Sequence, residues 1–180
     1  MALLLWQFWI YSFFGYLLEK GFAAATRSNN QVRKCFLFLP LCPVYGLGMV
    51  SFLALTKVEA YGFFALAFRG AVITTIVEFA VHFYYEAVFG VKFWDYSGVM
   101  GNVWGRVCLP FTIVWGLLSA MAAKVIQPLL LPIAEGMPAG LTYAIVLLLT
   151  ADAVLSGSLL YRYHDTELLT LRSVGEQLEE

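Results

Sequence analysis

Charge is what this sequence has least of. Only 13% of its 180 residues are Asp, Glu, Lys or Arg, against 61% hydrophobic, whereas soluble domains carry about 25% charged and 45–50% apolar residues. With a mean hydropathy of +0.78, the chain has more apolar side chain than a water-soluble fold can bury. A basic surplus is missing too: the net charge is −1 and no nucleic-acid-binding motif occurs, which excludes nucleic acid as a partner. The three cysteines, Cys35, Cys42 and Cys108, show no CxxC spacing, so neither a disulfide nor a zinc site is expected. No GxxxxGK[ST] phosphate loop is present, and no cofactor is expected. The start Met1–Leu5 lacks a positive region and a cleavage site, and reads as the beginning of a retained helix.

Long apolar runs are what the chain does have. Crossing the hydrocarbon takes about 20 apolar residues, and five stretches qualify, at 3–24, 36–56, 61–88, 107–127 and 140–161. The expected fold class is all-α, a polytopic transmembrane bundle of about five helices, with one domain over 1–163 and a short cytoplasmic tail over 164–180. Leu168, Leu171, Val174 and Leu178 predict a surface helix in that tail. The stretch 128–139, with Pro128, Pro132 and Pro138, is expected to be a linker. Lys and Arg bias sets orientation. With the N-terminus outside and the C-terminus cytoplasmic, Lys20, Arg27, Arg33, Lys34, Lys92, Arg106, Arg162 and Arg172 all lie inside, Lys57 and Lys124 lie near the outer face, and Arg69 falls within a span. The expected location is the cell (cytoplasmic) membrane, with the lipid bilayer as solvent.

The chain also resembles itself. Leu39-Pro40-Leu41-Cys42-Pro43-Val44-Tyr45-Gly46-Leu47 lies over Leu109-Pro110-Phe111-Thr112-Ile113-Val114-Trp115-Gly116-Leu117 at an offset of 70, and Tyr16-Leu17-Leu18-Glu19 lies over Phe83-Tyr84-Tyr85-Glu86. Helices 1–2 and 3–4 therefore read as a possible parallel repeat of one hairpin. Pro40 and Pro43 early in helix 2, and Pro110 early in helix 4, are expected to give broken helix starts that line a cavity on the cytoplasmic side. Gly46, Gly48 and Gly116 are expected at close helix contacts.

An ionisable group at mid-bilayer costs about 2.5–3.5 kcal/mol on insertion scales, so each needs a partner or a wet cavity. Glu78, His82 and Glu86 repeat at i, i+4 and i+8 and share one face of helix 3, while Glu19 and Asp152 lie on helices 1 and 5. Three readings of the Glu78–His82–Glu86 stripe compete: structural hydrogen bonding, a proton or cation pathway, and a metal or catalytic centre, the last having no second element of metal-site form. Together with Arg69, these residues are the candidates for a substrate or ion pathway. Arg69 and Asp152 are expected to form a buried ion pair. The loop between helices 3 and 4 carries Trp94, Asp95, Tyr96, Asn102 and Arg106, which suit a structural corner or a partner contact.

At these residues the chain resembles the bacterial putative ABC-transporter permease family, also catalogued as putative ABC-transporter type IV. The resemblance rests on Tyr11–Glu19, on Pro40-Leu41-Cys42-Pro43-Val44-Tyr45-Gly46-Leu47-Gly48, on Glu78 and Glu86, on Trp94-Asp95-Tyr96-Ser97, on Asn102 with Gly105–Leu109, and on Trp115-Gly116. It covers roughly residues 6–128, and departs from the family pattern at Val32–Cys35 and at Gln127-Pro128. It implies a small transport component working with a separate cytoplasmic ATPase subunit, and the small size of the chain adds a possible homodimer. The alternatives are an intramembrane enzyme acting on a lipid or lipid-linked substrate, and a membrane assembly or structural factor.

Overall fold

The computed structural model describes residues 2–26 and 35–169. They form an all-α bundle of five helices: α1 (Ala2–Ala25), α2 (Pro43–Leu55), α3 (Phe63–Phe89), α4 (Leu109–Glu135) and α5 (Ala139–Tyr163). The five helices match the number expected, and three of them, α3, α4 and α5, are both long and apolar enough to cross a membrane. α1 has the length, 24 residues, but α2 has only 13. The predicted tail helix falls largely outside the described residues; what is described there is a short turn at Glu167–Leu169.

The shortness of α2 has a local cause. The stretch 36–42 is as apolar as a helix but does not form one. Pro43 occupies the first turn of α2, and Pro110 that of α4, where a missing N–H costs nothing. The prolines therefore stand at the starts of these helices, with non-helical backbone before them, and Pro43 lines a cavity there. The preceding backbone is non-helical, with Leu37, Leu41 and Cys42 buried, and in lipid its amides must find acceptors inside the protein. Asp152, midway along α5, supplies them. Its carboxylate accepts from the backbone N–H of Phe38 at 2.9 Å and of Leu39 at 2.8 Å, and from the Ser156 hydroxyl at 3.0 Å. The expected Arg69–Asp152 pair is therefore wrong. Arg69 lies in the second turn of α3, where it donates to the Tyr61 hydroxyl at 2.8 Å and stacks over that ring at 4.0 Å. The same non-helical stretch brings the Cα atoms of Cys35 and Cys42 to 5.0 Å, and the two sulfurs are joined, against the expectation of unpaired thiols; Cys108 is free and buried.

The helices pack in series, α1 on α2, α2 on α3 and α3 on α4, with α5 resting on α3. Glycine permits two of these contacts. Gly46 of α2 presses on Phe8 and Ser12 of α1, and Gly116 of α4 presses on Ala67 and Ala71 of α3; a methyl at either would strike a carbonyl oxygen of the facing helix. The predicted linker at 128–139 is instead mostly helix. α4 continues through Pro128 and Pro132 to Glu135: a π turn at Ala122–Ile126 widens the helix just before Pro128, easing the clash that proline imposes on a regular helix, and Pro132 stands inside the helical stretch Gln127–Glu135 that follows. The outer surface is apolar: Phe64, Phe68, Val72 and Ile76, at four-residue spacing, form an exposed stripe on α3, as expected where lipid is the solvent.

Replacing Asp152 by Ala is expected to lower stability by about 2–4 kcal/mol, since two backbone amides lose a charged acceptor, with Asp152→Asn intermediate. Thermal unfolding in detergent measures this, and unchanged melting of the Ala variant would remove Asp152 from its capping role.

Candidate functional site

The stripe on α3 is met, residue by residue, by the loop at 90–108. Tyr96 donates its hydroxyl to Glu78 at 3.2 Å, the His82 ring bonds the Trp94 carbonyl at 3.0 Å, and Arg106 donates twice to Glu86, at 2.9 and 3.2 Å. Lys92 also pairs with Glu86, at 3.6 Å. The i, i+4, i+8 spacing presents three groups along one line, and the loop runs along that line.

Internal bonds hold the loop in shape. The Trp94 indole donates to the Arg106 carbonyl at 2.9 Å, the Tyr96 N–H to the Gly105 carbonyl at 2.7 Å, and the Asn102 amide to the Val99 carbonyl at 2.9 Å. Gly105 has φ +70° and lies against Ser97 and Asp95, a backbone conformation that side chains disfavour. Asp95 accepts from the Ser97 hydroxyl and backbone N–H. Those bonds hold its carboxyl below its ordinary range, so their stabilising effect is complete above that range and is lost as pH falls through the lowered value. Arg106 sits among the rings of Phe79, Phe83 and Trp104.

Behind the loop lies a cavity of about 870 Å³ between α1, α2, α3 and α4. Glu19 and Glu78 both line it. Tyr45 donates its hydroxyl to Glu19 at 2.6 Å, and the Trp115 indole stands beside the Glu78 carboxyl. The Tyr45 and Trp115 rings meet edge to face with centroids 5.3 Å apart. Phe111 stacks on Trp115 at 5.7 Å and on Tyr96 at 5.1 Å, continuing the wall. Phe22 of α1 meets Phe111 of α4 at 6.2 Å across the cavity. Glu78 is only 6% exposed, and its Oε2 has no hydrogen-bond partner.

The predicted residues thus divide. Glu19, Glu78, Pro43, Tyr45, Trp94 and Tyr96 line the cavity. His82 and Glu86 turn to the loop, and Asp95, Asn102 and Arg106 shape it. Gly46 is a helix contact. Pro40 is exposed, and Arg69 and Asp152 have the separate partners given above. Trp115 and Phe111 lie in the aligned stretch of α4, but their place beside the acids has no sequence signal. Ser156, which bonds Asp152, stands four residues beyond it, a spacing that places the two on one helix face.

Residues 6–157 match the family described as Putative ABC-transporter type IV. No curated protein and no solved structure matches the chain.

Loss of the internal Trp94–Arg106 carbonyl bond by Trp94→Phe, or of the bond that ties the loop to Glu86 of α3 by Arg106→Ala, is expected to speed amide exchange across 94–106 by about tenfold, the factor corresponding to one hydrogen bond near 1.4 kcal/mol. Exchange mass spectrometry that finds no acceleration would show that the loop does not depend on these bonds.

Proposed function

The chain belongs to the Putative ABC-transporter type IV family, and on that premise we propose that it is the membrane-embedded part of an ATP-driven transporter whose ATPase is a separate chain. The lack of a phosphate loop supports the division of labour. One observation carries the reading: the loop that holds Glu78 through Tyr96 also exposes Met100 and Trp104, at 70% and 76%. A partner docked on those side chains acts on a loop whose other face reaches the cavity. An exposed Trp beside a Met is the composition of a contact surface.

Orientation follows from charge. Lys20, Lys92, Arg106 and Arg162 lie toward the loop end of the bundle, and Lys57 and Lys124 toward the other, so the loop is cytoplasmic, on the side where an ATPase works. The two hairpins are copies of one unit. Supporting this, Gly46 and Gly116 make corresponding contacts, with Phe8 and Ser12 in one hairpin and with Ala67 and Ala71 in the other. That register pairs Glu19 with Glu78, not with Glu86 as the sequence alignment has it.

A tagged chain purified from its native membrane is expected to bring down an ATPase subunit, and the double change Met100→Ala, Trp104→Ala is expected to reduce that yield several-fold with the bundle still folded. A chain that retains no ATPase even after cross-linking in the membrane would refute the proposal.

A further inference from the structure

We propose that the cavity behind the loop binds a lipophilic cation, a positively charged centre carried on an apolar body, with Glu78 as its principal counter-charge and Glu19 as the second. This deepens the transport reading, on which it rests for treating the ligand as cargo.

Three independent features point to that chemistry. First, the sign is one-sided. Glu19 and Glu78 line the cavity, and no Lys, Arg or His does so among the described residues. Second, Glu78 is incompletely satisfied. It is buried, Tyr96 takes one carboxyl oxygen, and the other is without a partner. A buried carboxyl oxygen left unpaired is costly, and a cationic centre in the cavity relieves that cost. The other carboxylate with cationic neighbours on this stripe, Glu86, is already held by Arg106 and Lys92 and does not line the cavity. Third, the remaining wall suits the body of such a ligand. Tyr45, Tyr96, Phe111 and Trp115 form a continuous aromatic surface around the two acids, and ring faces attract cations, the more so where water is excluded. The volume of about 870 Å³ lies within the range of drug-sized ligand sites.

Two sources offer this chemistry, a free lipophilic cation and the ammonium headgroup of a phospholipid. Tetraphenylphosphonium is the probe for the shared feature. Titrated calorimetrically into the full chain, purified in neutral detergent, it is expected to bind saturably at one site per chain. Glu78→Gln is expected to weaken binding at least tenfold and Glu19→Gln several-fold, with Glu78→Asp keeping most of it and Glu86→Gln unchanged. Equal binding by Glu78→Gln would overturn the proposal. So would equally effective competition by a neutral amphiphile of similar bulk, a readout that holds even if Glu78→Gln fails to fold. Competition by phosphatidylethanolamine in nanodiscs identifies the lipid headgroup as the source, and its absence identifies a free cation; both agree with the proposal. A chain that binds the probe but captures no ATPase leaves this site standing and removes the transport reading, and the reverse outcome removes only the ligand.

Discussion

Backbone that leaves the helical path inside a bilayer must be paid for within the protein, and the rest of this structure depends on how that is done. The chain departs from helix twice on the loop side, before α2 and before α4, and each time side chains replace the missing helical bonds. Before α2, the Asp152 carboxylate takes the amides of Phe38 and Leu39. Before α4, indole, amide and guanidinium groups knit 94–106 into a fixed shape. Both helices then begin at proline, which sets where each starts.

The second departure positions the acids. Since the loop is pinned to α3 at Glu78, His82 and Glu86, the polar face of that helix is covered at its loop end, and of these three residues it is Glu78 that lines the cavity. The ionisable groups are therefore used unequally. Glu86 is held by cations, His82 bonds a carbonyl through one ring nitrogen and leaves the other unmet, and Glu78 keeps one oxygen unmet on the cavity side.

Much of this was legible in the sequence, for identifiable reasons. Scarcity of charge and the length of the apolar runs carried the all-α membrane class, and the spacing of Glu78, His82 and Glu86 predicted a shared face. The extent of α2 was not legible, because Phe36–Leu41 is as apolar as any span and hydropathy does not distinguish a buried irregular strand of chain from a helix. Asp152 pairs with backbone, which carries no sequence signature, so a search among charged side chains arrived at Arg69. Pro128 read as a breaker because a π turn, which lets the helix run on, has no compositional mark.

The helices fall into two length classes. At about 1.5 Å per residue, α2, with 13 residues, is about 20 Å long, whereas α3 and α4, with 27 each, approach 40 Å and exceed a hydrocarbon core of about 30 Å. A helix longer than the hydrocarbon core is accommodated by tilt, by kinking or by local thickening of the bilayer, whereas the short α2 packs between α1 and α3. Because the long helices form two walls of the cavity, membrane thickness is a variable that acts on the shape of the site from outside the protein.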